Sequence, residues 1–151
     1  MKLCMIGTGY VGLVSGVCFS DVGNVVYCVD KDQNKIDSLN KGKVPIYEPG
    51  LSDIIKKCRG KNLHFSNSIK EKIKNAEMVF ISVNTPTKQK GIGKGKASDL
   101  KWVEACARQV AEYAQNHTIV VEKSTLPVRT AEVIKTILGE NPTTRSNISN
   151  K

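Results

Sequence analysis

The sequence has no apolar run of the roughly 18 residues that a membrane-spanning helix requires. Its first residues, Met1–Met5, lead straight into a glycine motif and have neither the apolar core nor the cleavage site of a secretory signal. These two absences predict a cytoplasmic protein. Aromatic residues make up only 5% of the chain, which leaves little side-chain surface on which nucleic-acid bases could stack.

Cysteine is scarce, odd in number and scattered, at Cys4, Cys18, Cys28, Cys58 and Cys106. This pattern does not predict a disulfide framework, and no two cysteines have the close spacing of a zinc site. Cys4, Cys18 and Cys28 stand among apolar residues, so we expect them to be small buried side chains. The two histidines have no third partner at ligand spacing, and no metal site is predicted.

Positive charge is what the sequence has in excess, with 23 basic against 14 acidic residues and a net charge of +9. This balance favours anionic partners such as nucleotides, phosphosugars, nucleic acid or an acidic surface, without choosing among them. A glycine-rich stretch, Thr85–Ser98, carries four lysines. It is either a solvated loop or a site for phosphate or nucleic acid, the latter being the less favoured alternative.

Strand-like and helix-like runs alternate along the chain, as in a parallel sheet covered by helices. The predicted strands are Lys2–Ile6, Val25–Val29, Leu63–Phe65, Glu77–Val83 and Thr118–Val121. The predicted helices are Tyr10–Val22, one from a cap at Asp32 to Asn40, Leu51–Cys58, Ser68–Asn75, one from a cap at Asp99 to Gln115, and Pro127–Leu138 with Gly139 closing it. The sequence therefore predicts an α/β fold, a doubly wound, mainly parallel sheet over residues 1–139. Residues 140–151 are predicted to be a disordered polar tail.

The first predicted helix carries apolar residues at a helical spacing. Val11, Val14, Cys18 and Val22 fall on one face of it. We expect that face to pack against the sheet.

A glycine motif joins the first predicted strand to the first predicted helix: Gly7-Thr8-Gly9-Tyr10-Val11-Gly12. In this strand-to-helix context, Gly7 permits a tight turn and Gly9 lets the backbone approach a pyrophosphate. Gly12 lets the helix pack close to the strand, and the helix N-terminus offers free N–H groups to phosphates. The motif predicts a Rossmann-type dinucleotide-binding domain.

Asp30 ends the second predicted strand, 18 residues after Gly12. A carboxylate there accepts hydrogen bonds from the adenosine ribose and repels a 2′-phosphate, which favours NAD over NADP. Lys31 and Lys35 complicate this prediction, because a nearby cation could tolerate the phosphate. A helix cap is the alternative role for Asp30.

Two polar loops follow the fourth and fifth predicted strands, Val83-Asn84-Thr85-Pro86-Thr87 and Ser124-Thr125-Leu126-Pro127. In a doubly wound sheet, ligands bind beyond the carboxyl ends of the strands, where the strand order reverses. Both loops are therefore candidate cofactor contacts. Helix capping is an equally weighted alternative for Ser124 and Thr125.

Longer blocks are similar to a known family: MKLCMIGTGYVGLVSGVCF, VDKDQNKI, PIYEPGL, CRGKNLHFS, VFISVNTPTK, GKGKASDLKWVEACAR and VEKSTLPVR. On these blocks, which span about residues 2–138, the chain resembles the N-terminal NAD-binding domain of UDP-glucose 6-dehydrogenases, in the UDP-glucose/GDP-mannose dehydrogenase family. Relatives that act on UDP-N-acetylmannosamine or GDP-mannose share the first block. The PIYEPGL and CRGKNL segments look more like the UDP-glucose enzymes.

The resemblance implies an activity and a set of NAD contacts. The family oxidises UDP-glucose to UDP-glucuronate with two NAD and water. By resemblance, Gly7–Gly12 hold the pyrophosphate, Asp30 and Lys35 hold the adenosine ribose, and Val83–Thr87 with Ser124–Leu126 line the rest of the cofactor. Thr125 matches a family threonine near the reacting carbon, which implies an auxiliary catalytic role in positioning water or the substrate oxygen.

Other family features are absent from the sequence. The stretch Gly-Gly-x-Cys-Phe-x-Lys-Asp, which holds the family's nucleophilic cysteine, does not occur, and neither does the UDP-sugar-binding part. The resemblance therefore implies a truncated chain that has no catalytic turnover by itself. Such a chain would bind UDP-glucose only as part of a full-length protein. Homo-oligomers are expected as possible partners, and nucleic acid and membranes are not. The alternative is a stand-alone module for NAD binding or subunit interaction.

Overall fold

The computed structural model describes residues 1–92 and 94–140. Its strands are β1 (Lys2–Ile6), β2 (Val25–Val29), β3 (Leu63–Ser66), β4 (Met78–Ile81) and β5 (Ile119–Glu122). Its helices are α1 (Tyr10–Asp21), α2 (Gln33–Asn40), α3 (Leu51–Cys58), α4 (Ile69–Ile73), α5 (Lys101–Tyr113) and α6 (Thr130–Glu140). Strands and helices alternate nearly as the sequence predicts.

The five strands form one sheet in the order β3-β2-β1-β4-β5, and all of these neighbours pair in parallel. The α/β fold with a doubly wound parallel sheet is confirmed. The strand order reverses beside β1, which lies between β2 and β4. The carboxyl ends of β1, β2 and β4 therefore meet at one edge, where a ligand site is expected.

The helices cover both faces of the sheet because successive strand residues point to opposite sides. Met5 packs in a core with buried residues of α1, α2 and α3, whereas Cys4 and Ile6 pack in a second core with buried residues of α4, α5 and α6. Both cores are built from apolar side chains that are almost fully buried. Such a frame holds the strand ends in fixed positions.

The predicted apolar face of α1 is wrong for three of its four residues, since of the four only Val14 packs against the core, half-buried. Val11, Cys18 and Val22 are exposed, and the helix instead buries Gly12, Leu13, Gly16, Val17 and Ser20. A Cβ added at Gly16 would lie 2.6 Å from the Cys28 sulfur, so the helix backbone lies against the sheet. The contact face of α1 therefore combines Gly16, where the helix backbone approaches the sheet, with the larger Leu13 and Val17.

The last helix also differs from its predicted bounds. It begins at Thr130, three residues after Pro127, and Gly139 lies inside it rather than closing it. The Pro127 carbonyl accepts a hydrogen bond of 2.8 Å from the Thr130 hydroxyl, and Arg129 has a φ of +73°. A left-handed residue cannot continue a helix, so the chain turns before α6 starts. The first residue of the predicted tail, Glu140, belongs to α6, and the remainder of that prediction lies outside the described residues.

Candidate dinucleotide-binding site

The glycine motif forms a tight turn between β1 and α1. Gly7 has a φ of +100° and its N–H donates to the Val29 carbonyl at 2.8 Å. A Cβ at Gly7 would lie 2.4 Å from the Ser82 carbonyl oxygen, and one at Gly12 would lie 2.0 Å from the Gly7 carbonyl oxygen. Both positions therefore exclude any side chain.

Gly9 differs from these two glycines, because a Cβ there would meet no atom within 4 Å. It caps α1 without a side-chain hydrogen bond, and the first turn of α1 has no acidic residue. The N–H groups of that turn have no partner within the helix. The open surface at Gly9 and these N–H groups fit a pyrophosphate.

Asp30, at the end of β2, is fastened to the glycine motif. Its Oδ2 accepts hydrogen bonds from the Thr8 N–H at 2.9 Å and from the Thr8 hydroxyl at 2.7 Å, and Lys35 Nζ lies 3.4 Å away. Burial by itself would raise the pKa of Asp30, but the Thr8 and Asp32 hydrogen bonds and the Lys35 charge together hold it below its ordinary value. The group is an anion at neutral pH.

The helix cap beside Asp30 is a different residue. Asp32 caps α2 by accepting from the Lys35 N–H at 3.2 Å, as the sequence predicts. Asp30 Oδ1 only supports this turn through the Asp32 N–H at 3.1 Å. The α2 cap therefore does not account for Asp30.

The loops after β4 and β5 are joined by hydrogen bonds. The Val83 N–H donates to the Ser124 hydroxyl at 3.1 Å, and the Thr85 hydroxyl donates to the Thr125 carbonyl at 2.8 Å. No described helix starts at Ser124 or Thr125, since α6 begins at Thr130. The helix-capping alternative for these two residues is therefore wrong.

Glu122, the last residue of β5, supports this junction. Its Oε1 accepts from the Ser124 N–H at 2.6 Å. Burial raises the pKa of Glu122 above its ordinary value, although the hydrogen bonds from Ser124 and Lys123 oppose that rise. The carboxyl holds the Ser124 backbone in place, and Ser124 in turn holds the loop after β4.

A cleft of about 210 Å³ lies between these loops and the start of α1, and it is lined by Gly9, Tyr10, Val11, Ser82, Val83, Asn84, Thr85, Lys123, Ser124 and Thr125. This volume is below the 300–1,000 Å³ of a typical small-molecule site, so the cleft suits only part of a dinucleotide. Asp30 and Lys35 lie outside its lining, beyond Thr8. Two stretches of the candidate site thus lie on either side of the glycine motif.

Ser82 and Lys123 line the cleft but were not among the sequence-predicted site residues. Ser82 Oγ is buried and has no hydrogen-bond partner among the described residues. Their position in the sequence could have identified them, because Ser82 and Lys123 are the first residues after β4 and β5, where a ligand site is expected. Proximity of this kind becomes visible only when the strand pairing is known.

Three other sequence-predicted residues turn away from the cleft. The Pro86 carbonyl accepts from the Asp99 N–H at 2.7 Å, and Thr87 bridges Ser98, so both belong to the lysine-rich loop. Leu126 packs against the core that holds α5 and α6. A direct cofactor contact is least supported for these residues.

A loop side chain reaches over the start of α1. The Tyr10 hydroxyl donates a hydrogen bond to the Glu48 carboxylate, and this bond raises the pKa of Tyr10. Glu48 lies in the loop between α2 and α3. The contact connects that loop to the mouth of the cleft.

Four of the five thiols are buried, and only Cys18 is exposed, contrary to the expectation that it would be a buried side chain. Burial raises the pKa of Cys4 to about 12, and burial followed by the Glu122 charge raises the pKa of Cys106 to about 11. These two are not thiolates at neutral pH, and a thiol is a weaker nucleophile than a thiolate. Neither fits a nucleophilic role.

In the part of the chain that the structure describes, no helix is long and apolar enough to cross a bilayer. No group of three His, Cys, Asp or Glu side chains among these residues could hold a metal ion.

Comparison with known proteins matches residues 1–150 to the NAD binding domain of the UDP-glucose/GDP-mannose dehydrogenase family. The chain is 54% identical over 145 residues to a UDP-glucose 6-dehydrogenase of Drosophila melanogaster, covering 93% of this chain and 30% of that protein. It is 49% identical over 145 residues to the UDP-glucose 6-dehydrogenase of Bos taurus, covering 93% and 29%. The chain thus spans about 30% of the length of these curated relatives.

Solved structures agree with this match. A UDP-glucose dehydrogenase from the archaeon Pyrobaculum islandicum superposes with a TM-score of 0.81 at 32% identity, over 93% of this chain and 33% of that one. A GDP-mannose dehydrogenase of Pseudomonas aeruginosa, solved as a ternary complex, gives a TM-score of 0.81 at 31% identity and the same coverage.

Proposed function

Because the chain belongs to the UDP-glucose/GDP-mannose dehydrogenase family, as its NAD-binding domain, we propose that it acts as the cofactor domain of a UDP-glucose 6-dehydrogenase. In that enzyme NAD supplies the hydride acceptor for the oxidation of UDP-glucose to UDP-glucuronate. The substrate assignment is supported by the 54% identity to a UDP-glucose 6-dehydrogenase of Drosophila melanogaster and the 49% identity to that of Bos taurus. The cytoplasmic location and a homo-oligomeric state are further parts of the proposal.

The observation that carries the proposal is the pairing of an open Gly9 with a fixed anion at Asp30. Gly9 and the first N–H groups of α1 receive the pyrophosphate, since a Cβ at Gly9 would meet no described atom within 4 Å and these N–H groups have no partner within the helix. Thr8 occupies Oδ2 of the Asp30 carboxylate, and Oδ1, which accepts from the Asp32 N–H, keeps a lone pair for an adenosine ribose hydroxyl. Lys35 neutralises part of that charge at Oδ2 and leaves Oδ1 as the acceptor for the ribose.

The cleft holds the remaining part of the cofactor. Val83, Asn84 and Thr85 form one wall, and Ser124 and Thr125 form the other. We assign Thr125 to positioning water or the substrate oxygen beside the cofactor, because it lines the cleft and its backbone carbonyl is held by the Thr85 hydroxyl. For Pro86, Thr87 and Leu126 the proposed cofactor role is indirect, because they belong to the two loops whose other residues form these walls.

NAD is expected to raise the melting temperature of the 151-residue chain. A ligand at 100 times its Kd adds about 2.7 kcal/mol of stability, which for this length is a rise of about 5–10 °C. NADP and UDP-glucose at the same concentration serve as comparisons. NADP should raise the melting temperature only slightly, and UDP-glucose should not change it. A cooperative melt that NAD leaves unchanged would overturn the proposed cofactor site.

The same purified chain is expected to show no steady production of NADH from UDP-glucose and NAD. Its sequence has no Gly-Gly-x-Cys-Phe-x-Lys-Asp stretch, and Cys4 and Cys106 remain protonated at neutral pH. Absorbance at the NADH band measures the rate, and a full-length relative is the positive control. Turnover that persists through repeated purification would show that these 151 residues suffice for catalysis.

A further inference from the structure

Trp102 and Lys31 are in contact beside the ribose end of the site. Lys31 directly follows Asp30, and Trp102 lies in the first turn of α5. The Lys31 ammonium stands 3.6 Å from the centre of the indole ring. A cation within about 6 Å of a tryptophan face is attracted by the ring, and tryptophan is the strongest partner of this kind.

The neighbouring lysines have carboxylate partners of their own, whereas Lys31 has the indole. Lys35 makes the ion pair with Asp30, at 3.4 Å. Lys101 lies 5.1 Å from the indole centre but is also 3.5 Å from an Asp99 carboxylate oxygen. Burial and the Glu122 charge raise the pKa of Cys106 in α5, and the Lys31 charge lowers it. The Lys31 ammonium therefore lies on the side of the site that faces α5.

This arrangement bears on the choice between NAD and NADP. A 2′-phosphate on the adenosine ribose is accepted where a cation free of other partners stands close to it, and a carboxylate at that position repels it. Lys31 is one residue from that carboxylate and is long enough to turn toward it. Trp102 gives its ammonium a different partner.

We propose that Trp102 is a specificity-determining residue, which holds the Lys31 ammonium away from the ribose carboxylate of Asp30 and so keeps the site selective for NAD against NADP. It is a positioning residue, since it acts through Lys31. The inference rests on the proposed assignment of Asp30 to the adenosine ribose.

The test is the ratio of the Kd for NADP to the Kd for NAD, measured by calorimetry on the 151-residue chain at low salt. Trp102→Leu is expected to lower this ratio by roughly two- to five-fold, the amount that corresponds to one exposed cation–π contact. Trp102→Phe keeps a ring and should stay closer to the unaltered chain. The fall in the ratio for Trp102→Leu should be smaller at high salt, because salt screens the attraction between the exposed Lys31 ammonium and the 2′-phosphate.

A second variant separates the role of Lys31 from general damage to the fold. When Lys31→Met is added to Trp102→Leu, the ratio of the NADP Kd to the NAD Kd is expected to return to that of the unaltered chain. In the otherwise unaltered chain, Lys31→Met should leave the ratio within about two-fold, since its ammonium is already engaged. Lys61→Met, an exposed lysine just before β3 at the opposite end of the sheet, is the matched charge control.

Three results would overturn the inference. The first is a ratio of the two Kd values that stays unchanged in Trp102→Leu. The second is a lowered ratio in Trp102→Leu that persists when Lys31→Met is added. A large rise in the ratio for Lys31→Met alone would show that Lys31 already serves the phosphate. If the unaltered chain bound neither coenzyme, the ribose assignment would fail as well, whereas tight NAD binding with an insensitive ratio would remove only the role of Trp102.

Discussion

Replacing Gly12 with alanine is expected to lower the free energy of unfolding by about 3 kcal/mol or more. The new Cβ would stand 2.0 Å from the Gly7 carbonyl oxygen and 3.1 Å from the Ser82 Cβ. The Gly7 carbonyl belongs to a turn whose N–H is bound to Val29, so it cannot move without loss. In an ordinary helix interior the same change stabilises by about 0.5–1 kcal/mol, and the sign of the effect therefore reports the packing.

Chemical denaturation of Gly12→Ala and Gly9→Ala side by side measures this effect. Gly9 has a φ of −70° and no atom within 4 Å of an added Cβ, so its stability should change by less than about 0.5 kcal/mol. NAD affinity should nevertheless fall in Gly9→Ala, because the methyl group occupies the surface that the pyrophosphate approaches. Equal stability of the two variants would contradict the close contact at Gly12. Undiminished NAD affinity in Gly9→Ala would move the pyrophosphate elsewhere.

Replacing Asp30 with asparagine is expected to weaken NAD binding by roughly 10- to 150-fold. Hydrogen bonds to a charged acceptor are worth about 1.5–3 kcal/mol, and the amide keeps the shape of the side chain while losing its charge. The Thr8 hydroxyl can still donate to the amide oxygen, so the glycine motif should keep its position. Calorimetry gives the affinity, and Asp53→Asn, an exposed aspartate in α3, is the control. Unchanged affinity would remove Asp30 from the site.

The pH dependence of stability gives a second reading of Asp30. Its pKa in the folded chain lies below the unfolded value of about 3.9, so the unfolded chain binds the proton more readily. The stability that Asp30 contributes is therefore present above that value and is lost as the pH falls through the folded pKa. Asp30→Asn should flatten the acid limb of the stability curve relative to Asp53→Asn. An unchanged acid limb would show that Asp30 has an ordinary pKa.

The sequence by itself determined the alternation of strands and helices and the place of the glycine motif. Hydrophobic periodicity and the Asp32 cap are local signals, and α3 was predicted with the bounds that the structure gives. The position of Asp30 at a strand end was equally local, because β2 is a short apolar run that a polar residue ends. The NAD-binding family followed from long blocks of residues that need no structure to be recognised.

Tertiary structure alone decided which face of α1 packs and which polar groups meet. Periodicity detects hydrophobic side chains, whereas the close packing of α1 required a glycine at Gly16, beside Cys28 and Met5 of the sheet, and at Gly12, beside the Gly7 carbonyl. Val83 and Ser124 lie 41 residues apart and meet only because β4 and β5 are parallel neighbours that end together. The direction of Lys31 depended in the same way on a partner, Trp102, that only the fold brings beside it.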